Sequence, residues 1–452
     1  MKFTGVFIFM VIIQMESLYK KYLLCTGATT DTRSVGTGDM FFALKGDKFN
    51  ANKFAADALN SGAAFAVVDE IEDTSWKHTF GERLILVDDV LKTLQQLAGH
   101  HRNHLKCPVL AITGSNGKTT TKELIAAVLS KRYKTYATKG NLNNHIGIPL
   151  TLLAIKSDVE MAVIEMGANH VGEIASYCEY VRPDYGLITN VGMAHTEGFG
   201  GFEGVVKGKT ELYKYIAAHQ GKVFLNLDNG ILTEKVSDFG FRISDVANVI
   251  SYGRSASASL RGKINSAGEL LSVSVVEQDR ETVIQTNLIG EYNFENVLSA
   301  VCVGKYFGVE MQQIKEAIEN YVPANNRSQK IAYGSNTIIL DAYNANPASM
   351  SEALKNFDKI NAPNKIVILG EMMELGEYAK AEHEKIAATV ETMQLAKKVF
   401  TGTGFSFLKQ DPSVIYFEKT DELKVWFKNQ QFENCYMLIK GSRKNELEKI
   451  IS

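Results

Sequence analysis

From residue 107 to residue 323 the chain alternates continuous apolar runs with stretches of helical periodicity. The clearest runs are Val109-Leu-Ala-Ile-Thr113, Met161-Ala-Val-Ile-Glu-Met166 and Tyr185-Gly-Leu-Ile-Thr-Asn-Val191. Runs of this kind, bounded by turn residues, mark strands buried on both faces of a parallel sheet. The theme returns after Pro323 with Thr337-Ile-Ile-Leu-Asp341, Lys365-Ile-Val-Ile-Leu-Gly370 and Tyr436-Met-Leu-Ile-Lys440, and a helix is predicted over Ala381–Met393. Ahead of residue 105 the pattern differs. Short alternating runs and one helical stretch end in the polar segment His100-His-Arg-Asn-His-Leu-Lys106. A chain of 452 residues is too long for one ordinary core. The three patterns predict three α/β domains, at residues 15–105, 106–322 and 323–452. No solenoid repeat or low-complexity tract interrupts them.

Polar residues gather where the predicted strands end: Thr113, Glu165, Asn190, Asp341, Gly370-Glu371 and Lys440-Gly441. In open α/β sheets that edge is where ligands bind. One strand end is more specific. Gly114-Ser115-Asn116-Gly117-Lys118-Thr119-Thr120 follows a strand and opens a helix whose apolar face is Leu124, Ile125, Val128 and Leu129. Glycines let the backbone wrap a phosphate, and a helix N-terminus offers unpaired N–H groups to anionic charge. Lys118 would neutralise the β/γ oxygens of ATP, and the Thr119 hydroxyl would hold Mg²⁺. The Walker A spacing asks for glycine at position 112, where this chain has Ile112. A glycine-rich turn without ligand is the alternative, which the strand–helix context disfavours.

The other strand ends are ambiguous by themselves. Glu165 could ligate Mg²⁺ or cap a helix. His195, in Asn190-Val-Gly-Met-Ala-His195-Thr-Glu-Gly-Phe-Gly200, could be catalytic or structural. Asp341 could cap the next helix or meet a nucleotide hydroxyl. Thr401-Gly-Thr-Gly404 imitates a dinucleotide fingerprint, but Phe407 replaces its last glycine, so it is read as an ordinary turn.

Charge and cysteine usage remove alternatives. With a net charge of -2 and no aromatic-interleaved basic stripe, nothing points to nucleic acid. Five dispersed cysteines without a CxxC read as free thiols in a reducing cytoplasm. The apolar stretch Gly5–Ile13 is too short to span a bilayer as a helix, so no stable membrane insertion is expected. Residues 1–14 are read as an upstream start-site extension, with the functional chain beginning near Met15. A signal peptide is the other reading, at odds with an ATP enzyme.

Together these motifs resemble the Mur ligase family of peptidoglycan synthesis. Thr113–Thr120 is similar to that family's phosphate loop, which also lacks the first Walker glycine. Glu165 and His195 match its magnesium positions. Gly290-Glu-Tyr-Asn293-Phe-Glu-Asn296 resembles its adenine-contacting segment, although Tyr292 stands where a histidine is common. Arg327 and Asp341 match the linker arginine and the ribose-contacting aspartate. Lys209, in Lys207-Gly-Lys209-Thr-Glu-Leu-Tyr213, resembles the lysine that takes up CO₂ as a carbamate.

Several segments are similar to the branch of the family that adds D-alanyl-D-alanine. These are Thr30-Asp-Thr32-Arg33, Asp39–Gly46 with Lys45, Asn141-Leu-Asn-Asn144, Asp341-Ala-Tyr-Asn344-Ala-Asn346-Pro347, Leu369–Glu377 and Lys440-Gly-Ser-Arg443. The resemblance implies a small UDP-binding first domain, a central P-loop ATPase-like domain and a Rossmann-like third domain. It implies ATP with two Mg²⁺ ions, and Thr119, Glu165, His195 and carbamylated Lys209 as metal ligands. Thr32, Arg33, Lys45, Asn141, Asn144 and Asn344 would contact substrate. The partners implied are UDP-N-acetylmuramoyl-tripeptide and D-alanyl-D-alanine, used by a cytoplasmic monomer through an acyl phosphate.

Overall fold

The computed structural model describes residues 15–277, 280–324 and 326–451, so the extension read at residues 1–14 lies outside the described residues. The chain forms two compact units. The first comprises residues up to Ala111, Tyr133–Gly167 and Glu173–Asp184; the second comprises Ile112–Arg132, Ala168–Gly172 and everything from Tyr185.

In the first unit Ala28–Thr29, Met40–Phe42, Phe65–Val68 and Leu84–Leu86 make an all-parallel sheet in chain order. Its core gathers Phe41, Ala55, Leu59, Ala66 and Val68. Helices at residues 15–22, Ala55–Asn60, Trp76–Phe80 and Val90–His104 exceed the single one expected. The segment from His100 was expected to be a polar boundary, yet it continues the last of these helices. His101 and Arg102 are buried there. Arg102 donates to Val181 O at 3.0 Å and to Asp184 Oδ2 at 2.9 Å, and His101 bonds Tyr19 Oη and Ile155 O. Satisfied polar groups can be buried at low cost, so hydropathy alone hides such a turn of helix. Also in this unit, Thr135–Ala137 pairs in parallel with Met161–Glu165.

In the second unit Tyr185–Ile188, Lys222–Asn226, Val249–Gly253 and Leu260–Ala267 run parallel. An antiparallel ribbon, Leu271–Glu277 with Arg280–Gln285, extends them. The strand expected through Val191 stops at Ile188. Thr189 and Asn190 leave it because their polar groups bind the loop at residues 114–117, described below. The helix Lys118–Leu129 buries all four residues of its predicted apolar face.

The C-terminal sheet of this unit has the order Gln329–Tyr333, Asn336–Asp341, Tyr436–Lys440, Lys365–Gly370, Lys397–Thr401, Ile415–Phe417, with only the first strand antiparallel. Side chains alternate between two cores. Ile339, Val367, Leu369 and Leu438 pack with Met350, Leu354, Ile386 and Val390 from the helices Pro347–Lys359 and Ala379–Glu391. Ile338, Ile366, Ile368 and Ile439 pack with Leu423 and Phe427 from Thr420–Lys428. The helix expected over Ala381–Met393 thus sits two residues earlier. After Asp341 the chain passes over one place, later filled by Tyr436–Lys440. That skip makes a switch point at the carboxyl ends of three strands.

The Thr401–Gly404 turn clasps a carboxylate: Glu371 Oε2 accepts from Thr403 Oγ1 at 3.0 Å and Gly404 N at 2.9 Å. Beside it, buried His383 accepts from Met372 N at 2.9 Å through Nε2 and donates from Nδ1 to Ala379 O at 2.7 Å. Only the neutral ring can do both. Burial accordingly holds its pKa below the ordinary 6.5. With the folded pKa depressed, the unfolded chain binds the proton first, so stability falls as pH drops below about 6.5. His383→Gln is expected to flatten the fall in melting temperature between pH 7.5 and 5.5. An unchanged slope would remove His383 as its source.

Candidate active site

The phosphate loop lies in the second unit, between Val109–Thr113 and the helix Lys118–Leu129. Gly117 caps the helix with φ of +77°, and a Cβ there would stand 2.5 Å from Asn296 Oδ1, so only glycine fits. Ser115 N donates to Asn190 O at 3.0 Å, and Ser115 Oγ to Gly192 O at 3.0 Å. The peptide of Asn116 is held on both sides. Its N–H meets Asn190 Oδ1 at 2.9 Å, and its carbonyl accepts from Thr189 Oγ1 at 2.6 Å. Lys118 Nζ curls over the loop, 2.6 Å from Gly114 O and 3.2 Å from Ser115 O. Thr119 is buried and Thr120 half-buried.

The two asparagines expected at the adenine lie behind this loop. Asn296 Oδ1 accepts from Thr121 Oγ1 at 3.0 Å, and its amide donates to Asn293 Oδ1 at 2.8 Å. Asn293 in turn donates to Ile289 O at 2.8 Å. The chain of bonds joins the first turns of two helices and fixes the back wall of the loop.

One packed turn, ending in Phe199, links His195 to the helix that carries Lys209. The segment after His195 ends in Phe199, whose carbonyl would lie 1.8 Å from a Cβ at Gly204, so that turn reaches the helix Phe202–Ala218 only over glycine. Lys209 is buried on the same helix, 3.0 Å from Ala168 O and 5.2 Å from the Phe199 ring centre. His195, at φ +54°, bonds Glu374 through Nδ1. The bond from His195 holds the Glu374 carboxyl below the usual carboxylate range. Glu374 had no role in the sequence reading, although it sits inside the quoted Leu369–Glu377 segment.

The strand-end crevice holds Asp341. Its Oδ1 accepts from Ser328 N at 3.1 Å and its Oδ2 from buried Lys440 at 2.5 Å; Lys440 also reaches Asn344 O at 3.3 Å. Arg327 stacks on Tyr343, 3.7 Å from the ring centre. Asp341, Ser328, Tyr292, Ile289 and Phe357 line one small pocket. Lys440, which anchors this corner, was another residue without an assigned role.

In the first unit Glu165 ends its strand almost fully buried. Its Oε1 accepts from Asn143 Nδ2 at 2.7 Å and its N–H donates to Thr138 Oγ1 at 2.9 Å. Asn143, not Asn141 or Asn144, is the member of its segment that orients this carboxylate. Asn144 Oδ1 instead accepts from Gly147 N at 2.8 Å, and Asn141 is exposed. Arg33 is exposed and paired with Asp31, which that contact lowers to about 2. Thr32 shares the short helical turn Thr32–Ser34 with Arg33. Lys45 pairs with Glu70.

Among the described residues no three His, Cys, Asp or Glu side chains gather as a metal cage. Of the four expected donors, Thr119, His195 and Lys209 belong to the second unit and Glu165 to the first.

Three family models match in succession: "Mur ligase family, catalytic domain" over residues 25–102, "Mur ligase middle domain" over 112–304 and "Mur ligase, glutamate ligase domain" over 326–416. The UDP-N-acetylmuramoyl-tripeptide–D-alanyl-D-alanine ligase of Escherichia coli K12 is 31% identical over 438 residues, covering 94% of this chain and 92% of that protein. The chain belongs to the Mur ligase family. The Bacillus subtilis (strain 168) ligase of the same description is 30% identical, with the same 94% and 92% coverage. The crystal structure of MurF from Acinetobacter baumannii superimposes with a TM-score of 0.81 at 29% identity, covering 94% of this chain and 92% of that one. The three-domain α/β organisation expected from the apolar pattern is thus that of the Mur ligases.

Proposed function

We propose that this chain is an ATP-dependent ligase that joins D-alanyl-D-alanine to UDP-N-acetylmuramoyl-tripeptide. One observation carries the reading: a built phosphate loop at Gly114–Lys118, in a chain aligned over more than nine-tenths of its length with ligases of that description. In this reading the tripeptide carboxylate oxygen attacks the γ-phosphorus of ATP, the bond to the β,γ-bridging oxygen breaks, and ADP leaves. The dipeptide amine then attacks the acyl carbon, phosphate departs with the C–O electrons, and the amine proton is lost. Lys118 and the loop N–H groups hold the phosphates, and Asp341 and Arg327 hold the nucleoside end with Asn293 and Asn296. Thr32, Arg33 and Lys45 take the UDP moiety, while Asn141, Asn144 and Asn344 meet the peptide substrates. Thr119, Glu165, His195 and the carbamate on Lys209 are the proposed ligands for Mg²⁺, which would supply charge neutralisation at the transferring phosphoryl group.

The domain borders proposed are near residues 105 and 322. A cytoplasmic monomer is the proposed setting; among the described residues no helix is long and apolar enough to cross a membrane. The full chain, purified and supplied with UDP-N-acetylmuramoyl-tripeptide and ATP, is expected to release ADP in step with added D-alanyl-D-alanine. Release that needs a folate and glutamate, and ignores the dipeptide, would overturn the assignment.

A further inference from the structure

The turn after the strand Asn336–Asp341 carries three differently engaged residues within six positions. Asp341 is held by Lys440, Asn344 gives its carbonyl to the same ammonium, and Asn346 is directed elsewhere. Asn346 caps the helix Pro347–Lys359: its Oδ1 accepts from Ser349 N at 2.9 Å, and its own N–H donates to Ser349 Oγ at 3.1 Å. A helix cap needs only that oxygen. The amide nitrogen makes a second bond, donating to Asn116 Oδ1 at 2.7 Å, and the Asn346 side chain is buried where it does so.

Asn116 is the apex of the phosphate loop. Its peptide N–H and carbonyl are already fixed by Asn190 and Thr189, next to the parallel strand Tyr185–Ile188. Its side chain is fixed by Asn346, from the C-terminal sheet. We infer that Asn346 is a positioning residue for the phosphate loop, so that the loop's hold on nucleotide depends on the turn at residues 341–347. The inference rests on the functional reading above in placing ATP at this loop and the dipeptide at Asn344. Under that reading one rigid turn, pinned by buried Lys440, serves both substrates. A shift of Asn344 on dipeptide binding reaches Asn116 through two residues of chain, and the coupling acts equally in both directions.

Serine separates the two duties of Asn346. It caps helices about as well as asparagine, but its hydroxyl ends one bond short of the amide nitrogen. Asn346→Ser is expected to melt within about 2 °C of the natural protein. It should bind a fluorescent ATP analogue with Mg²⁺ roughly three- to tenfold more weakly, the effect of one lost buried hydrogen bond. Asn346→Ala should show the same weakening together with a lower melting temperature. Asn116→Ala removes the partner without touching the cap. It should weaken binding by itself, and adding Asn346→Ser to it should change little more. Unchanged nucleotide affinity in Asn346→Ser or in Asn116→Ala, or effects of the two that multiply independently, would overturn the inference. A natural protein that binds the analogue but does not ligate D-alanyl-D-alanine would overturn the functional reading instead, leaving the loop measurement valid.

Discussion

Lys118→Ala is expected to lower D-alanyl-D-alanine ligation roughly 1,000-fold while leaving UDP-N-acetylmuramoyl-tripeptide binding intact. The side chain leaves the first turn of a helix and folds back over the loop, held by the carbonyls of Gly114 and Ser115. On the function proposed above, a cation fixed there would meet the phosphate whose charge rises as the phosphoryl group transfers. One unit charge about 4 Å away at an effective dielectric near 20 is worth about 4 kcal/mol, or about three powers of ten in rate. Arginine should not restore the activity, because its planar fork cannot fold onto two carbonyls of the same tight loop. Lys118→Met should keep the melting temperature within about 3 °C, since the residue is only half-buried. Activity within tenfold of the natural enzyme would mean that the loop does not hold the transferring phosphate.

The phosphate loop could be found from sequence because its chemistry is local: a buried strand, two glycines, a lysine and a helix follow one another directly. The strand ends were legible for the same reason. Met161–Glu165, Lys365–Gly370 and Tyr436–Lys440 finish within a residue of their apolar runs, and burial on both faces leaves little choice of boundary. The strand ending at Ile188 was carried too far, through Val191, because Thr189 and Asn190 turn out to serve the loop, a contact made across 73 and 74 positions of sequence. Asn346 was quoted as part of a motif but given no role, since its partner Asn116 lies 230 positions away. Glu374, beside His195, was hidden in the same way across 179 positions. Helix residues His101 and Arg102 failed for a different reason. Their bonds make polar side chains into core, which periodicity counts as surface.

Lys209→Ala is expected to abolish ligation, with activity returning partly when a short carboxylic acid such as acetate or propionate is added. Lys209 is about 1% exposed, on a helix held by glycine against the turn that follows His195. Even bonded to Ala168 O, an ammonium here would oppose a Mg²⁺ placed beside it. Attack of the neutral amine on CO₂ forms an N–C bond and releases one proton, leaving a carboxylate-like group in place of a cation. On the function proposed above, that would replace a repulsive neighbour by an oxygen ligand of the kind Mg²⁺ prefers. Removing the side chain leaves room at the same point for a free carboxylate, which is why a small acid can substitute. Mass spectrometry cannot be the deciding measurement, because carbamates fall apart on acidification. ¹³C nuclear magnetic resonance of the enzyme in labelled bicarbonate should instead show a carbamate carbon that Lys209→Ala lacks. Rescue should follow acid size, with acetate exceeding bulkier acids, and the variant should melt close to the natural protein when acetate is present. Full activity of Lys209→Ala without any added acid would sink the carbamate, and loss of activity without either rescue or a labelled signal would reduce Lys209 to a packing residue.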